Sequence, residues 1–237
     1  MNIIADMHTH TLASGHAYST VNELALAASQ KGLAAMALTD HGPALPGGPH
    51  LYHFGAMRFI PRHINGVRIF LGVEANIMTE KGGIDLPEPY LQKLDFVMAG
   101  LHEGYDFDDQ GTDRNTEAII NAMANPLIKA ISHPGNPVFP VHYEEVVKAS
   151  LATGTALEIN NASFSVSRKG SRPNCEELAS LLARYGAPVV VGSDAHIAQG
   201  VGMFEDAVKV LELFGVREEQ VVNSSMERLL QFLEIED

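Results

Sequence analysis

The sequence predicts an α/β fold, a distorted or incomplete (β/α)7 barrel in a single domain spanning residues 1–237. Three observations carry that expectation. Apolar runs of strand length alternate with helical segments along the chain. Nearly every one of those runs ends in histidine or a carboxylate. In a β/α barrel the strand C-termini converge at one mouth, where the chemistry is built. An open doubly wound sheet is the competing architecture, because periodicity does not reveal closure.

The first run, residues 2–7, passes into Asp6-Met7-His8-Thr9-His10. A helix over 21–31 follows, with Thr20 and Glu23 at capping-box spacing and Gly32 as its stop. The second run, 33–39, is continuously apolar, as a parallel strand buried on both faces requires, and ends in Asp40-His41. Residues 42–49 are too rich in glycine and proline for regular structure and form a mouth loop. A short helix over 55–64 leads into the third strand, 67–73, which ends at Glu74. The fourth strand, 96–101, ends in His102-Glu103. Helices over 116–124, 143–152 and 175–185 separate strands at 128–132, 156–159 and 189–193. Of these strands, the first ends in His133 and the last in Asp194-Ala195-His196. The chain closes with helices over 203–214 and 226–233, the second behind a Ser224-x-x-Glu227 cap.

Composition bounds the function. A formal net charge of -13 argues against long nucleic acid or an anionic membrane as partner. No apolar run approaches the ~20 residues of a membrane span, and the N-terminus lacks the pattern of a signal peptide. The lone Cys175 excludes an internal disulfide framework, so a reducing cytoplasm is the expected compartment.

Imidazole and carboxylate are the ligands of zinc, manganese and iron, so the strand ends together suggest one multinuclear metal site. His8 and His10 lie two residues apart and share a face if the strand continues, a spacing suited to one cation. Asp6 is placed to accept an imidazole N–H and fix its tautomer. Two surface histidines at a strand end are the bland alternative. It weakens once Asp194-x-His196 is set beside them.

Asp6-x-His8-x-His10, Thr39-Asp40-His41, Gly72-Val73-Glu74, Ser132-His133-Pro134 and Gly192-Ser193-Asp194-Ala195-His196, in this order and spacing, resemble the PHP (polymerase and histidinol phosphatase) metallohydrolase family. The likeness spans about residues 3–200 and is greatest to the small stand-alone bacterial phosphatases. It implies a distorted (β/α)7 barrel holding up to three divalent metal ions, zinc first, with manganese and iron compatible. Carried over residue by residue, it implies that His8, His10, Glu74 and Asp194 hold the first ion. Glu74 bridges to a second, held also by His102 and His133, and His16, His41 and His196 hold a third. It further implies a phosphatase acting on small phosphorylated metabolites, in which metal-activated water attacks phosphorus. Self-association to a homo-oligomer is suggested by similarity to the small members.

Arg168, Lys169 and Arg172 form the densest basic cluster of an acidic chain and are expected to bind substrate phosphate, Arg168 foremost. Arg168→Ala is then expected to raise KM more than it changes metal content. Asp40 is a catalytic candidate, as proton donor to the leaving group or as orienter of a neighbouring histidine. Glu158 and Asn160 end the sixth strand, facing the mouth or serving packing. Glu103, Asp106, Asp108 and Asp109 make a solvated acidic loop. His50 and His53 have metal-like spacing but sit in a breaker-rich segment and are assigned to a lid or surface, as His63 and His142 are to ordinary packing. Cys175 lies near a helix start, a position that can lower a thiol pKa, yet no histidine neighbours it in sequence, so a structural thiol is favoured. Two alternatives remain: an amidohydrolase or other non-phosphate hydrolase, and a metal-bearing structural or regulatory module. No lysine ends a strand to serve as a carbamylated bridge, which favours phosphorus chemistry.

Overall fold

The computed structural model describes residues 1–236. Eight strands form one sheet: β1 (Ala5–Asp6), β2 (Ala35–Leu38), β3 (His63–Ile64), β4 (Val67–Asn76), β5 (Phe96–Gly100), β6 (Ala130–Ile131), β7 (Ala156–Asn160) and β8 (Val189–Gly192). Seven of them run parallel in the order β1-β2-β4-β5-β6-β7-β8, and β3 pairs antiparallel with β4. Strand order follows chain order without the reversal of a doubly wound sheet. The two edges meet where Asp194 N–H donates to His8 O at 2.9 Å and His10 N–H donates to Ala195 O at 2.9 Å. The sheet is therefore a nearly closed barrel, as the sequence predicts.

Helices α1 (Val21–Gln30), α2 (Leu51–Ala56), α3 (Glu88–Leu91), α4 (Thr112–Met123), α5 (Tyr143–Thr153), α6 (Ser171–Tyr185), α7 (Glu205–Leu213) and α8 (Met226–Leu233) flank the sheet or lie in its connections. Side chains alternate across each strand, so the core has two parts. Met36, Leu38, Ile69, Leu71, Val97, Leu157 and Val191 belong to the larger cluster, shared with helical residues such as Leu24, Ile119 and Leu178. Ala35, Ala37, Phe70, Phe96, Met98, Ala156 and Val190 form a second cluster, shared with Leu229, Leu230 and Leu233 of α8. That second series continues toward the strand ends as Glu74, Gly100, Glu158 and Asp194, so the barrel changes from apolar floor to polar mouth within a few residues.

Asn223 sits buried in the seam between the edge strands. Its Nδ2 donates to Ala5 O and Val191 O at 2.8 Å each, and its Oδ1 accepts from Val191 N–H at 3.1 Å. One amide thus satisfies backbone groups that incomplete closure would leave bare.

Local differences from expectation have local causes. The capping box of α1 forms as read, with Glu23 N–H donating to Thr20 Oγ1 at 3.3 Å and Thr20 N–H to Glu23 Oε2 at 2.7 Å. The helix expected over 55–64 instead begins at Leu51, capped by His50, whose Nδ1 accepts from Tyr52 N–H at 3.1 Å. Its expected end is the strand β3, because Asn65 and Gly66 take left-handed φ values of 54° and 80° and turn the chain into a hairpin. The cap of α8 is Ser225, not Ser224: Arg228 N–H donates to Ser225 Oγ at 3.2 Å. Cys175 lies inside α6, and burial pushes its thiol up to about 12, the opposite of a helix-start activation. Among the described residues no helix is long and apolar enough to cross a membrane.

Candidate metal centre

The polar strand ends bring all nine proposed ligands to one end of the barrel. His8 and His10 follow β1, His41 follows β2, Glu74 lies in β4, and His102, His133 and Asp194-His196 follow β5, β6 and β8. His16 arrives from the short 3-10 turn Leu12–Ser14. Asp194 and His133 take left-handed φ values of 58° and 31°, uncommon for non-glycine residues and concentrated here at strand ends where direction must change abruptly.

Glu74 is the hub. Its Oε1 lies 2.9 Å from His102 Nε2 and 2.7 Å from His133 Nε2. Its Oε2 lies 3.2 Å from His8 Nε2, 3.5 Å from His10 Nε2 and 3.0 Å from His41 Nδ1. Yet Glu74 Oε2 and His41 Nδ1, both buried, make no hydrogen bond of acceptable geometry. They are close without being aimed at one another. Asp194 Oδ1 completes the first group at 3.3 Å from His10 Nε2 and 3.6 Å from His8 Nε2. His16 and His196 face each other, Nε2 to Nε2, at 3.0 Å.

Compact donor triads recur within this cluster. His8, His10 and Asp194 form one, His41, Glu74 and His102 a second, and His10, His41 and His196 a third; within each, the ligand atoms lie within 4.8 Å of one another. His41 belongs to two of them, so the structure places it nearer Glu74 than a partition by sequence resemblance suggests. The donor set fits divalent cations on a direct test. His8 Nδ1 lies 2.7 Å from Glu158 Oε1, so its N–H donates there. His10 Nδ1 lies 3.1 Å from Ser14 Oγ, whose own O–H donates to Asp40 at 2.7 Å, so His10 also spends its N–H at Nδ1. The two Nε2 atoms face each other at 3.0 Å, an approach that needs positive charge between them, either a second proton on His8 or a metal ion.

The surrounding charges favour such a cation. Burial opposes a charge on His8, but Glu158, Glu74 and Asp194 outweigh it and raise its pKa well above the ordinary value. Burial and the neighbouring His41 lower His10 to about 3, and burial with Arg168 lowers His133 to about 4. Burial would raise Glu74 and Asp194, yet the histidines around both, and Arg168 beside Asp194, hold them well below the usual carboxylate range. The site thus presents ionised carboxylates with His10 and His133 neutral, and the second proton that the carboxylates hold on His8 is the one a metal ion would displace.

A buried second ring of side chains fixes these ligands. Glu158 holds His8 through Oε1 and accepts from His133 N–H at 2.7 Å through Oε2. Gly192 makes this possible, because a Cβ there would clash with both Glu158 Oε1 and His8 Cβ. Asp6 does not take an imidazole N–H as its position suggests. It accepts from the backbone N–H groups of Ser193 at 3.0 Å, Gly202 at 2.8 Å and His8 at 3.3 Å, and from the Ser193 hydroxyl at 2.5 Å, locking the loop that carries Asp194. Asp40 accepts from Thr11 N–H, Thr11 Oγ1 and Ser14 Oγ, each at 2.7 Å. Burial pushes Asp40 up, but these bonds and His53 hold it at about 2. His53, assigned from sequence to a lid or surface, stands with Nε2 at 3.3 Å from Asp40 Oδ2, and His50 only caps α2.

The basic cluster divides. Arg168, with φ of 48°, lines the mouth but is engaged: Nη2 donates to Asp194 Oδ2 and, at 3.0 Å, to Asn160 Oδ1, and Nε donates to Ser163 Oγ at 3.0 Å. Arg172 faces Asp206 at 3.6 Å and Glu176 at 3.9 Å, packs over Phe164 and does not line the mouth cleft. Lys169 is exposed and does not line the mouth cleft either. Above the ligands opens a cleft of about 830 Å³.

The sequence and the fold of the chain match known proteins. The PHP domain model matches residues 6–162, and the PHP-associated model matches residues 173–208. A protein of Syntrophotalea carbinolica named "Probable phosphatase" is 50% identical over 228 residues, covering 96% of this chain and 95% of its own length. Another protein so named, from Caldanaerobacter subterraneus subsp. tengcongensis, is 48% identical over 234 residues, covering 99% and 92%. Among solved structures, a histidinol phosphate phosphatase of Lactococcus lactis, complexed with zinc, L-histidinol and phosphate, superposes with a TM-score of 0.62 at 19% identity, covering 90% of this chain and 94% of that one. That likeness speaks for the fold. With a family model matched over more than half its length and relatives near 50% identity across nearly all of it, the chain belongs to the PHP domain family.

Proposed function

We propose that the protein is a metal-dependent phosphoesterase, a phosphatase that hydrolyses small phosphorylated metabolites at a trinuclear centre, with zinc as the first candidate metal. The observation that carries this reading is the shared carboxylate of Glu74, one oxygen facing His102 and His133 and the other facing His8, His10 and His41. Relatives named as phosphatases across nearly the whole chain support the substrate class. His8, His10, Glu74 and Asp194 would hold one ion, Glu74, His102 and His133 a second, and His16, His41 and His196 a third. When bound, such ions supply Lewis-acid charge that makes a water nucleophilic near neutral pH and neutralises phosphoryl oxygens.

The chain's own residues do the rest. Glu158 and Ser14 each hold an imidazole N–H at Nδ1, of His8 and His10 respectively, so that Nε2 is the atom turned to the metal. Asp40, saturated with donors and held at about 2, orients Ser14 and through it His10; a carboxyl so acidic has no proton to give a leaving group at neutral pH. Arg168 steadies Asp194 from the cleft wall and places its positive charge beside the position a phosphoryl group would take.

Removal of metal with a chelator should abolish hydrolysis of a phosphomonoester panel, and zinc or manganese should restore it. Turnover by metal-free protein, or turnover of amides with no phosphoester hydrolysed, would overturn the proposal.

A further inference from the structure

The cleft over the metal centre is more than a phosphoryl pocket. Its volume of about 830 Å³ lies in the upper part of the range for sites that enclose a whole small molecule. Three loops at strand C-termini build its outer wall, and each contributes apolar side chains. Leu45 and Pro46 come from the loop after β2, Val166 from the loop after β7, and Ile197 and Met203 from the loop after β8. Val166 is 88% exposed, and Ile197 and Met203 are 47% exposed each. Single exposed apolar residues are ordinary, but Pro46, Val166, Ile197 and Met203, four from three separate loops around one opening with the buried Leu45 beside them, make a surface that gains by being covered. Ile197 adjoins His196, so the apolar wall begins at the ligands themselves.

Charge in the same wall is informative. Apart from the proposed histidine ligands, Arg168 is the only cationic side chain lining the cleft among the described residues, and it is already bonded to Asp194, Asn160 and Ser163. The acidic Glu103 also lines it. A carboxylate or second phosphate on the leaving group would find no uncommitted cation and would approach Glu103.

Resting on the phosphatase reading above, we infer that the leaving group this cleft selects is an uncharged, apolar alcohol, so that the preferred substrates are phosphomonoesters of apolar alcohols and not phosphorylated acids, bisphosphates or amines. In the hydrolysis, water adds its oxygen to phosphorus, the P–O bond to the alcohol breaks, and the alcohol departs with a proton into the apolar half of the cleft.

The test is a series of primary phosphomonoesters whose leaving alkoxides are chemically alike: ethyl, butyl and hexyl phosphate, with glycerol 1-phosphate, 3-phosphoglycerate and 3-aminopropyl phosphate as polar, anionic and cationic counterparts. With metal-replete full-length protein, kcat/KM should rise at least about tenfold from ethyl to hexyl, since each fully buried methylene contributes about a threefold to fourfold gain. Butyl phosphate should exceed 3-phosphoglycerate and 3-aminopropyl phosphate by about tenfold or more. Val166→Ser and Met203→Ser should cost hexyl phosphate several-fold more than ethyl phosphate. A flat alkyl series, a preference for the anionic or the cationic ester, or equal effects of the two substitutions on short and long chains would overturn the inference while leaving the phosphatase reading intact. Turnover of none of the esters would overturn both.

Discussion

Glu158→Gln isolates the contribution of one buried carboxylate to two ligands at once. The side chain is 1% exposed, and its two oxygens are spent on different partners: Oε1 at 2.7 Å from His8 Nδ1 and Oε2 at 2.7 Å from His133 N–H. Glutamine keeps the shape but offers one acceptor and one donor group. If its oxygen stays with the His133 backbone, its NH2 confronts His8 Nδ1–H, and the imidazole relieves that clash by moving its proton to Nε2, the atom that must bind metal. If its oxygen stays with His8, the His133 backbone N–H loses this acceptor. Either way a charge-assisted hydrogen bond worth about 1.5–3 kcal/mol is lost. Loss of such a partner commonly lowers metal affinity or activity by about 10–100-fold. Titrating metal-free protein with zinc or manganese against a competing chelator should show that loss at the tightest site, with a matching fall in kcat/KM. The variant should remain folded, because the amide is isosteric. A Glu158→Gln protein that binds every equivalent with wild-type affinity would refute the orienting role and return Glu158 to simple packing.

Three further outcomes follow from the same geometry. Glu74→Gln should remove two metal equivalents together by elemental analysis, because both oxygens of one carboxylate are in use, whereas His16→Ala should remove about one; equal losses would refute the bridge. Arg168→Ala should lower metal retention as well as raise KM, since its guanidinium holds Asp194; full metal content with only KM raised would make Arg168 a pure substrate contact, as its sequence alone suggests. Cys175, buried and pushed up to about 12, should resist a thiol-reactive disulfide reagent at pH 8 in the native protein and react at once in denaturant; prompt native reaction would contradict the packed environment.

The barrel is legible in the sequence because its physics is repeated. A parallel strand buried on both faces needs an unbroken apolar run, and each such run here stops abruptly at a residue too polar for the core, so 33–39 and 189–193 announce both the strand and the mouth. Elements set by one or two residues leave less trace in the sequence. The Asn65-Gly66 turn that makes β3 carries a known hairpin signal, but the flanking segment is too short for strand periodicity to register. Breakers between residues 42 and 49 hid the start of α2, since a histidine cap is an uncommon signal.

The ligands and their supports differ in the same way. A metal ligand must be histidine or carboxylate and must sit at a strand end, so residue type and position together single it out. A supporting residue needs only an oxygen or an N–H at the right point in space. Glu158 does for His8 what the sequence position of Asp6 suggests for Asp6, and Asp6 instead ties down Ser193 and Gly202, nearly two hundred residues away along the chain. Arg168 shows the same limit: its charge and loop position suit phosphate, yet folding brings Asp194 to it first. His53 is the sharpest case. Its spacing from His50 suggests a metal ligand and the glycine- and proline-rich approach a surface, but the start of α2 brings its Nε2 to 3.3 Å from Asp40, the carboxylate that sets Ser14 and, through Ser14, His10. The route from His53 to the metal centre therefore runs through three contacts: His10 with Ser14 is local in sequence, and the two that Asp40 makes, with Ser14 and with His53, join segments that folding of the mouth brings together.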